Sequence, residues 1–140
     1  MRPNVLIVDD DVVDVELLRR ILTRCEPPFP VDVAQDGDDA FAILQARQEA
    51  ARVVVLLDLR LPNVDGFGFL QRLRSDPELW ETVVFALSTS NDQRDRKRAR
   101  EFGVAGYILK STITDDPECL VNLLSAYTRA VEVPTVPRLA

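Results

Sequence analysis

The sequence contains no histidine. On this chain that rules out a metal site built on imidazoles, a Ser-His-Asp triad and phosphohistidine chemistry. Its two cysteines, Cys25 and Cys119, lie far apart with no Cys-x-x-Cys or zinc-type spacing. Both read as reduced, partly buried thiols rather than as a disulfide framework. No G-x-x-x-x-G-K-[ST] run follows the first apolar segment, which removes a P-loop nucleotide site. Long apolar runs are missing too; stretches such as Val53 to Leu57 are far too short to span a bilayer. The N-terminal "MRPN" does not lead into an apolar segment of signal-peptide length, so a cytoplasmic location with no membrane partner is expected. Nor is there a basic excess. With 17 Lys and Arg against 23 Asp and Glu the net charge is −6, which argues against general nucleic-acid binding, since that needs a basic face to neutralise phosphates.

What remains is one domain's worth of chain, 140 residues of which 46% are apolar, enough to bury a core. The segments "NVLIVD" (4–9), "VDVAQ" (31–35), "VVVLLD" (53–58), "VVFALS" (83–88) and "AGYILK" (105–110) read as strands. Three are nearly continuous Val/Leu/Ile runs, the pattern of strands covered by helices on both faces. Helical periodicity separates them. Leu17, Leu18, Ile21, Leu22 and Cys25 form one apolar stripe, leaving Asp14, Glu16, Arg19, Arg20 and Arg24 to the solvent side. A second pattern runs from about Gly37 to Glu49, and a third follows Asp65, an N-cap candidate. A fourth, from about Asn91 to Phe102, stops at Gly103, suited to a left-handed C′ position, and a fifth follows Pro117. Strand-helix alternation of this kind predicts a doubly wound parallel α/β sheet. "KSTITDDPE" reads as a loop joining the last strand to the last helix, and residues 131–140, "VEVPTVPRLA", as a Pro-interrupted tail beyond a domain of residues 1–130.

The strand ends carry the chemistry. Asp9, Asp10 and Asp11 lie at and just past the end of the first strand, Asp58 ends the third, Ser88 the fourth and Lys110 the fifth. In open α/β sheets ligand sites form beyond the carboxyl ends of the strands. Carboxylates crowded there repel one another by roughly 4 kcal/mol at about 4 Å and an effective dielectric near 20. A hard divalent cation with oxygen ligands relieves that repulsion.

Taken together and in order, "LIVDDD", "LLDLRLPNVDGF", "ALSTSND" and "GYILK" resemble the receiver domain of two-component response regulators, over residues 4 to about 128. The resemblance implies a flavodoxin-like (βα)5 sheet with strand order 2-1-3-4-5. It implies that Asp58 is the phosphoryl acceptor, and that Asp10, Asp58 and the backbone carbonyl of Arg60 ligate Mg²⁺. Asp9 would act through water or from the outer shell of the ion. Lys110 and Ser88 would contact the phosphoryl group, and Thr89 would line its pocket where the family usually has a small residue. Tyr107 would be an aromatic switch coupled to Ser88; the alternative is a half-buried tyrosine of fixed rotamer. Asp11 is assigned to capping the first helix, and Trp80 to covering the sheet edge.

The implied partner is a sensor histidine kinase. "LSTSND" together with the tail is similar to the stand-alone regulators paired with bacterial phytochromes, so a phytochrome-type kinase is expected. No output domain follows the receiver-like segment, which reads as a single-domain regulator passing signal by binding or phosphotransfer, not as an enzyme. The family's readout face of helix 4, strand 5 and helix 5 implies a homodimer, with Arg94, Arg96, Lys97, Arg98 and Arg100 meeting Asp115, Asp116 and Glu118 of a partner. The tail reads either as an arm lying on that partner or as a frayed end. Two features depart from the family pattern. Ser111 replaces the usual proline after the strand-5 lysine, so Lys110 is aimed by a trans bond or by a rarer non-proline cis bond. The bulky Arg60 stands two residues after the acceptor. A receiver-shaped module that binds partners without phosphorylation is the alternative function. A haloacid-dehalogenase-type phosphatase is disfavoured, because it needs an acid where Arg60 stands.

Overall fold

The computed structural model describes residues 2–46, 51–61 and 65–136. Pro62 and Asn63, a turn signal in the sequence, and the expected end of the second helix, 47–49, lie outside that range. In chain order the elements are β1 (Asn4–Val8), α1 (Val12–Arg24), β2 (Val31–Ala34), α2 (Gly37–Gln45), β3 (Ala51–Asp58) and α3 (Gly66–Ser75). They continue with β4 (Val83–Ser88), α4 (Gln93–Glu101), β5 (Gly106–Leu109), α5 (Lys110–Asp115), α6 (Glu118–Ala130) and β6 (Thr135–Val136). Five parallel strands lie in the order β2-β1-β3-β4-β5, the flavodoxin-like arrangement.

Period-two alternation explains the unbroken apolar strands. Val53, Val55 and Leu57 face one way and pack with Leu6, Val8, Phe41, Phe69 and Leu70, beneath α2 and α3. Val54 and Leu56 face the other way and pack with Val5, Ile7, Leu18, Phe85 and Leu124, beneath α1 and α6. Each such side chain, fully buried, contributes roughly 1.5–3 kcal/mol relative to exposure. The core therefore fixes the register, and the register fixes where the polar strand ends lie. Val8 sits opposite Leu57, Asp58 opposite Leu87, and Ser88 opposite Leu109, so the carboxyl ends finish along one rim.

Caps hold the helices that border this rim. Asp11 accepts from the N–H groups of Val13 (2.9 Å) and Asp14 (3.1 Å), and Asp65 from that of Gly68 at 2.7 Å. Gly103 ends α4 with a φ of 70°, the left-handed conformation that favours glycine.

The chain differs from the sequence expectation in two places. "KSTITDDPE" is not a plain loop, because Lys110–Asp115 forms the extra helix α5, and the expected fifth helix is α6. Among the described residues the one cis peptide bond is Glu26–Pro27, so Lys110–Ser111 is trans. A proline at 111 would have disfavoured a helical Lys110; serine lets the helix start there. Over its described residues, 131–136, the tail is extended as its alternating Val and Pro predicts, and it reaches its own sheet. Val133 is buried, and Thr135–Val136 pairs antiparallel with Ala51–Arg52 at the start of β3. Trp80, 44% exposed, borders an open groove beside Val83 and Tyr127, while neighbouring Leu79 fills the interior.

Candidate functional site

Strand parity aims the acids. Asp9 continues the Val5–Ile7 face of β1, and Asp58 the Val54–Leu56 face of β3, so both carboxylates emerge on the α1 side of the rim. Both are buried, at 1% and 5% exposure. Each has one oxygen held by the backbone two residues on. Asp11 N–H donates to Asp9 Oδ1 at 2.9 Å, and Arg60 N–H donates to Asp58 Oδ1 at 3.0 Å. The other oxygen of each accepts from Lys110 Nζ, at 3.0 Å for Asp9 and 3.2 Å for Asp58. Asp10 is exposed, and its carboxylate converges with those of Asp9 and Asp58, the three ligand atoms lying within 4.8 Å of one another.

Lys110 has a third partner that the sequence reading assigned to solvent: Asp14 Oδ2, at 2.6 Å. Helical periodicity put Asp14 on the outer side of α1, and nothing local marks it as reaching a residue 96 positions away. Burial works against the ammonium, but the Asp14 hydrogen bond and the charges of Asp58 and Asp9 hold Lys110 above the ordinary lysine value. Burial pushes Asp9 up to about 6, despite the hydrogen bonds from Asp11 and Lys110 that pull it down.

Ser88 is buried at the end of β4 on the opposite strand face, and its Oγ accepts from Ser90 N–H at 3.0 Å. Tyr107 is half-buried against that same face of the core, and its hydroxyl donates to the Ser90 carbonyl at 2.6 Å. Ser90, which the sequence reading did not single out, thus links the two. Thr89 is exposed. The Arg60 guanidinium is turned outward to Asp95 of α4 at 3.2 Å.

Residues 5–124 match the response regulator receiver domain. The chain belongs to that family. Among curated relatives, Response regulator Rcp1 of Synechocystis is 28% identical over 95% of this chain and 92% of its own length. A crystal structure of the phosphorylated cyanobacterial phytochrome response regulator RcpA superposes with a TM-score of 0.84 at 26% identity, covering 96% of this chain and 99% of that one. The bacteriophytochrome response regulator AtBRR gives a TM-score of 0.68 at 32% identity, over 79% and 83% of the two chains. The chain spans only 36% and 52% of two other curated relatives that it matches. No helix among the described residues is long and apolar enough to cross a membrane.

Receivers imply a divalent cation, and this receiver's donor set fits one. Asp9, Asp10 and Asp58 offer hard carboxylate oxygens, and the single ammonium nearby is already shared among Asp9, Asp14 and Asp58. Gly66 supports the receiver pocket from below. A Cβ there would lie 2.6 Å from Leu59 Cα and 2.9 Å from the Asp58 carbonyl oxygen, so α3 can start this close to the Asp58 backbone only with glycine.

Proposed function

We propose that this receiver accepts a phosphoryl group on Asp58 from a sensor histidine kinase, and that the kinase is of phytochrome type. The observation that carries the reading is the buried Asp58 carboxylate sharing the Lys110 ammonium with Asp9, with Asp10 alongside. The likeness to response regulators named for phytochromes supports the choice of kinase. Burying an acid at a strand end costs folding energy, and a site that receives an anionic group gives that cost a use.

In the transfer, a carboxylate oxygen of Asp58 forms a bond to phosphorus while the bond from phosphorus to the donor nitrogen breaks, the electron pair leaving with nitrogen. Such transfers need positioning and charge stabilisation more than covalent help. Arg60 N–H orients Asp58 through Oδ1. Lys110, already bonded to Oδ2, moves a short way to a phosphoryl oxygen and takes up its charge. The Ser88 hydroxyl has its proton free to donate, since Oγ acts as acceptor toward Ser90. A Mg²⁺ ion held by Asp10, Asp58 and the Arg60 carbonyl, with Asp9 acting through water, would supply the remaining positive charge. When Ser88 turns to the phosphoryl group it releases Ser90 N–H, which loosens the residue whose carbonyl accepts from the Tyr107 hydroxyl. In this reading Tyr107 acts as the switch, and Thr89, next after Ser88 in the chain, borders the phosphoryl pocket.

The readout we propose is homodimerisation through α4, β5 and α6. Arg94, Arg96, Lys97 and Arg100 are exposed on α4, as are Asp115 and Asp116 ahead of α6 and Glu118 at its start. Such rim charges steer association more than they add affinity. Sedimentation should show a phosphorylation-dependent dimer that reversed charges at Arg94 and Lys97 weaken at low salt; a dimer indifferent to both would defeat this mode. We set the domain boundary after Val136 rather than at 130, because β6 pairs with β3.

The test of the acceptor is phosphate-affinity electrophoresis with a cognate kinase or a small phosphodonor. Wild type should shift in Mg²⁺ and not in chelator, and Asp58→Asn should not shift in either. A normal shift in the Asn variant would overturn the assignment.

A further inference from the structure

We propose that Asp14 is a positioning residue that anchors the Lys110 ammonium beside the acceptor; this rests on Asp58 being that acceptor. Asp14 stands at the third position of α1, three residues after the capping Asp11. An acid there ordinarily reaches back to the cap's own N–H. That N–H is already taken by Asp9 Oδ1 at 2.9 Å. The Asp14 carboxylate instead crosses to the β5–α5 junction and takes Lys110 at 2.6 Å, the shortest of the three ion pairs on this lysine. An ammonium has three N–H groups, and Asp9, Asp14 and Asp58 engage it together.

Three further features make the anchor necessary. Lys110 opens α5 across a trans bond to Ser111, so no proline constrains the main chain that carries its long, rotamer-rich stem. Asp14 also lies outside the converging group of Asp9, Asp10 and Asp58. Positive charge brought to that group competes with Lys110 for Asp9 and Asp58, and leaves the Asp14 bond untouched. The gap shared with Leu17, Leu18, Leu87 and Ile113 is about 20 Å³, too small for a solvated ammonium to retreat into. Lys110 can then pivot on Asp14, turning its other donors from the carboxylates to the arriving phosphoryl oxygens.

Lys97 and Lys110 are the only lysines in the sequence, so a ¹⁵N-lysine spectrum of the whole chain reports Lys110 with Lys97 as internal control. Asp14→Asn should move the Lys110 side-chain signal and leave that of Lys97 in place. It should slow labelling from acetyl phosphate about tenfold, the scale of one lost hydrogen bond between charged groups, while calorimetric Mg²⁺ affinity stays within about twofold, as for a charge outside the ion's ligands. Asp14→Glu should recover part of the rate and of the signal position. An unmoved Lys110 signal, an unchanged or faster rate, or a loss of Mg²⁺ affinity matching the loss of rate would overturn the proposal. A wild-type chain that takes no label would refute the acceptor reading instead, and the lysine signal would still decide the anchor.

Discussion

Replacing Asp9 with Asn removes a carboxyl that is 1% exposed and that burial lifts from an ordinary 3.8 to about 6. A carboxyl that binds its proton more tightly in the folded chain makes folding take up a proton. Stability from this group is therefore full below about 3.8 and is lost as pH rises through about 6. Each tenfold change in proton affinity is about 1.4 kcal/mol, so an ionised Asp9 at neutral pH costs the metal-free fold about 3 kcal/mol. Asparagine keeps an acceptor for Asp11 N–H but gives up the ion pair with Lys110. A net gain of about 1–3 kcal/mol remains, or about 3–10 °C in Tm for a chain of this size. Urea unfolding of wild type and Asp9→Asn in chelator, from about pH 4 to pH 7.5, reads it directly. The variant should be the more stable near neutrality, and the two curves should converge as the pH approaches the lower limit. Saturating Mg²⁺ should reverse the order, since a ligand at a hundredfold excess over Kd adds about 2.7 kcal/mol to the chain that binds it. A variant no more stable than wild type at neutral pH in chelator, or a difference flat with pH, would refute the charge-balance reasoning.

Gly66→Ala should destabilise by about 1–3 kcal/mol, the usual cost of forcing a methyl into filled space. Because that methyl meets Asp58 O and Leu59 Cα, it should also slow phosphoryl labelling; urea midpoints with labelling rates check both. Arg74 donates to the carbonyls of Phe102, Trp80 and Thr82 at 2.7 Å and of Gly103 at 3.2 Å, tying α3 to both ends of the α4–β4 region, and burial lowers its proton affinity. Arg74→Ala should cost about 2–4 kcal/mol by leaving carbonyls unpaired. Arg74→Lys should recover little of it, because an ammonium lacks the planar fork; thermal unfolding of both variants is the measurement.

Local rules carried the frame of this molecule. Asp11 and Asp65 cap the helices where short acids before a helical stripe are expected, and the Val/Leu runs became doubly covered strands whose ends share a rim. Those signals act over a few residues and so can be read from a few residues. The features that escaped depend on distance. Asp14 looks like one more solvent-facing acid of α1 until the β5–α5 junction brings Lys110 within 2.6 Å. Nothing local marks Gly66; its necessity comes from the Asp58–Leu59 backbone pressed against it. Helix α5 appears because serine replaces a proline whose presence the family pattern suggested, and proline acts on the residue before it. Thr135–Val136 gains its strand partner from β3, more than eighty residues earlier, which no tail composition encodes.

The central claim is that Asp58 carries the phosphoryl group. Chain exposed to a phosphodonor in Mg²⁺ can be reduced with borohydride, which converts an aspartyl phosphate to homoserine, and the peptides then mapped by mass spectrometry. The account predicts homoserine at position 58 alone, absent when a chelator replaces Mg²⁺. Homoserine at Asp9, Asp10 or Asp14 in its place, or none anywhere in chain that has demonstrably taken up phosphate, would contradict it.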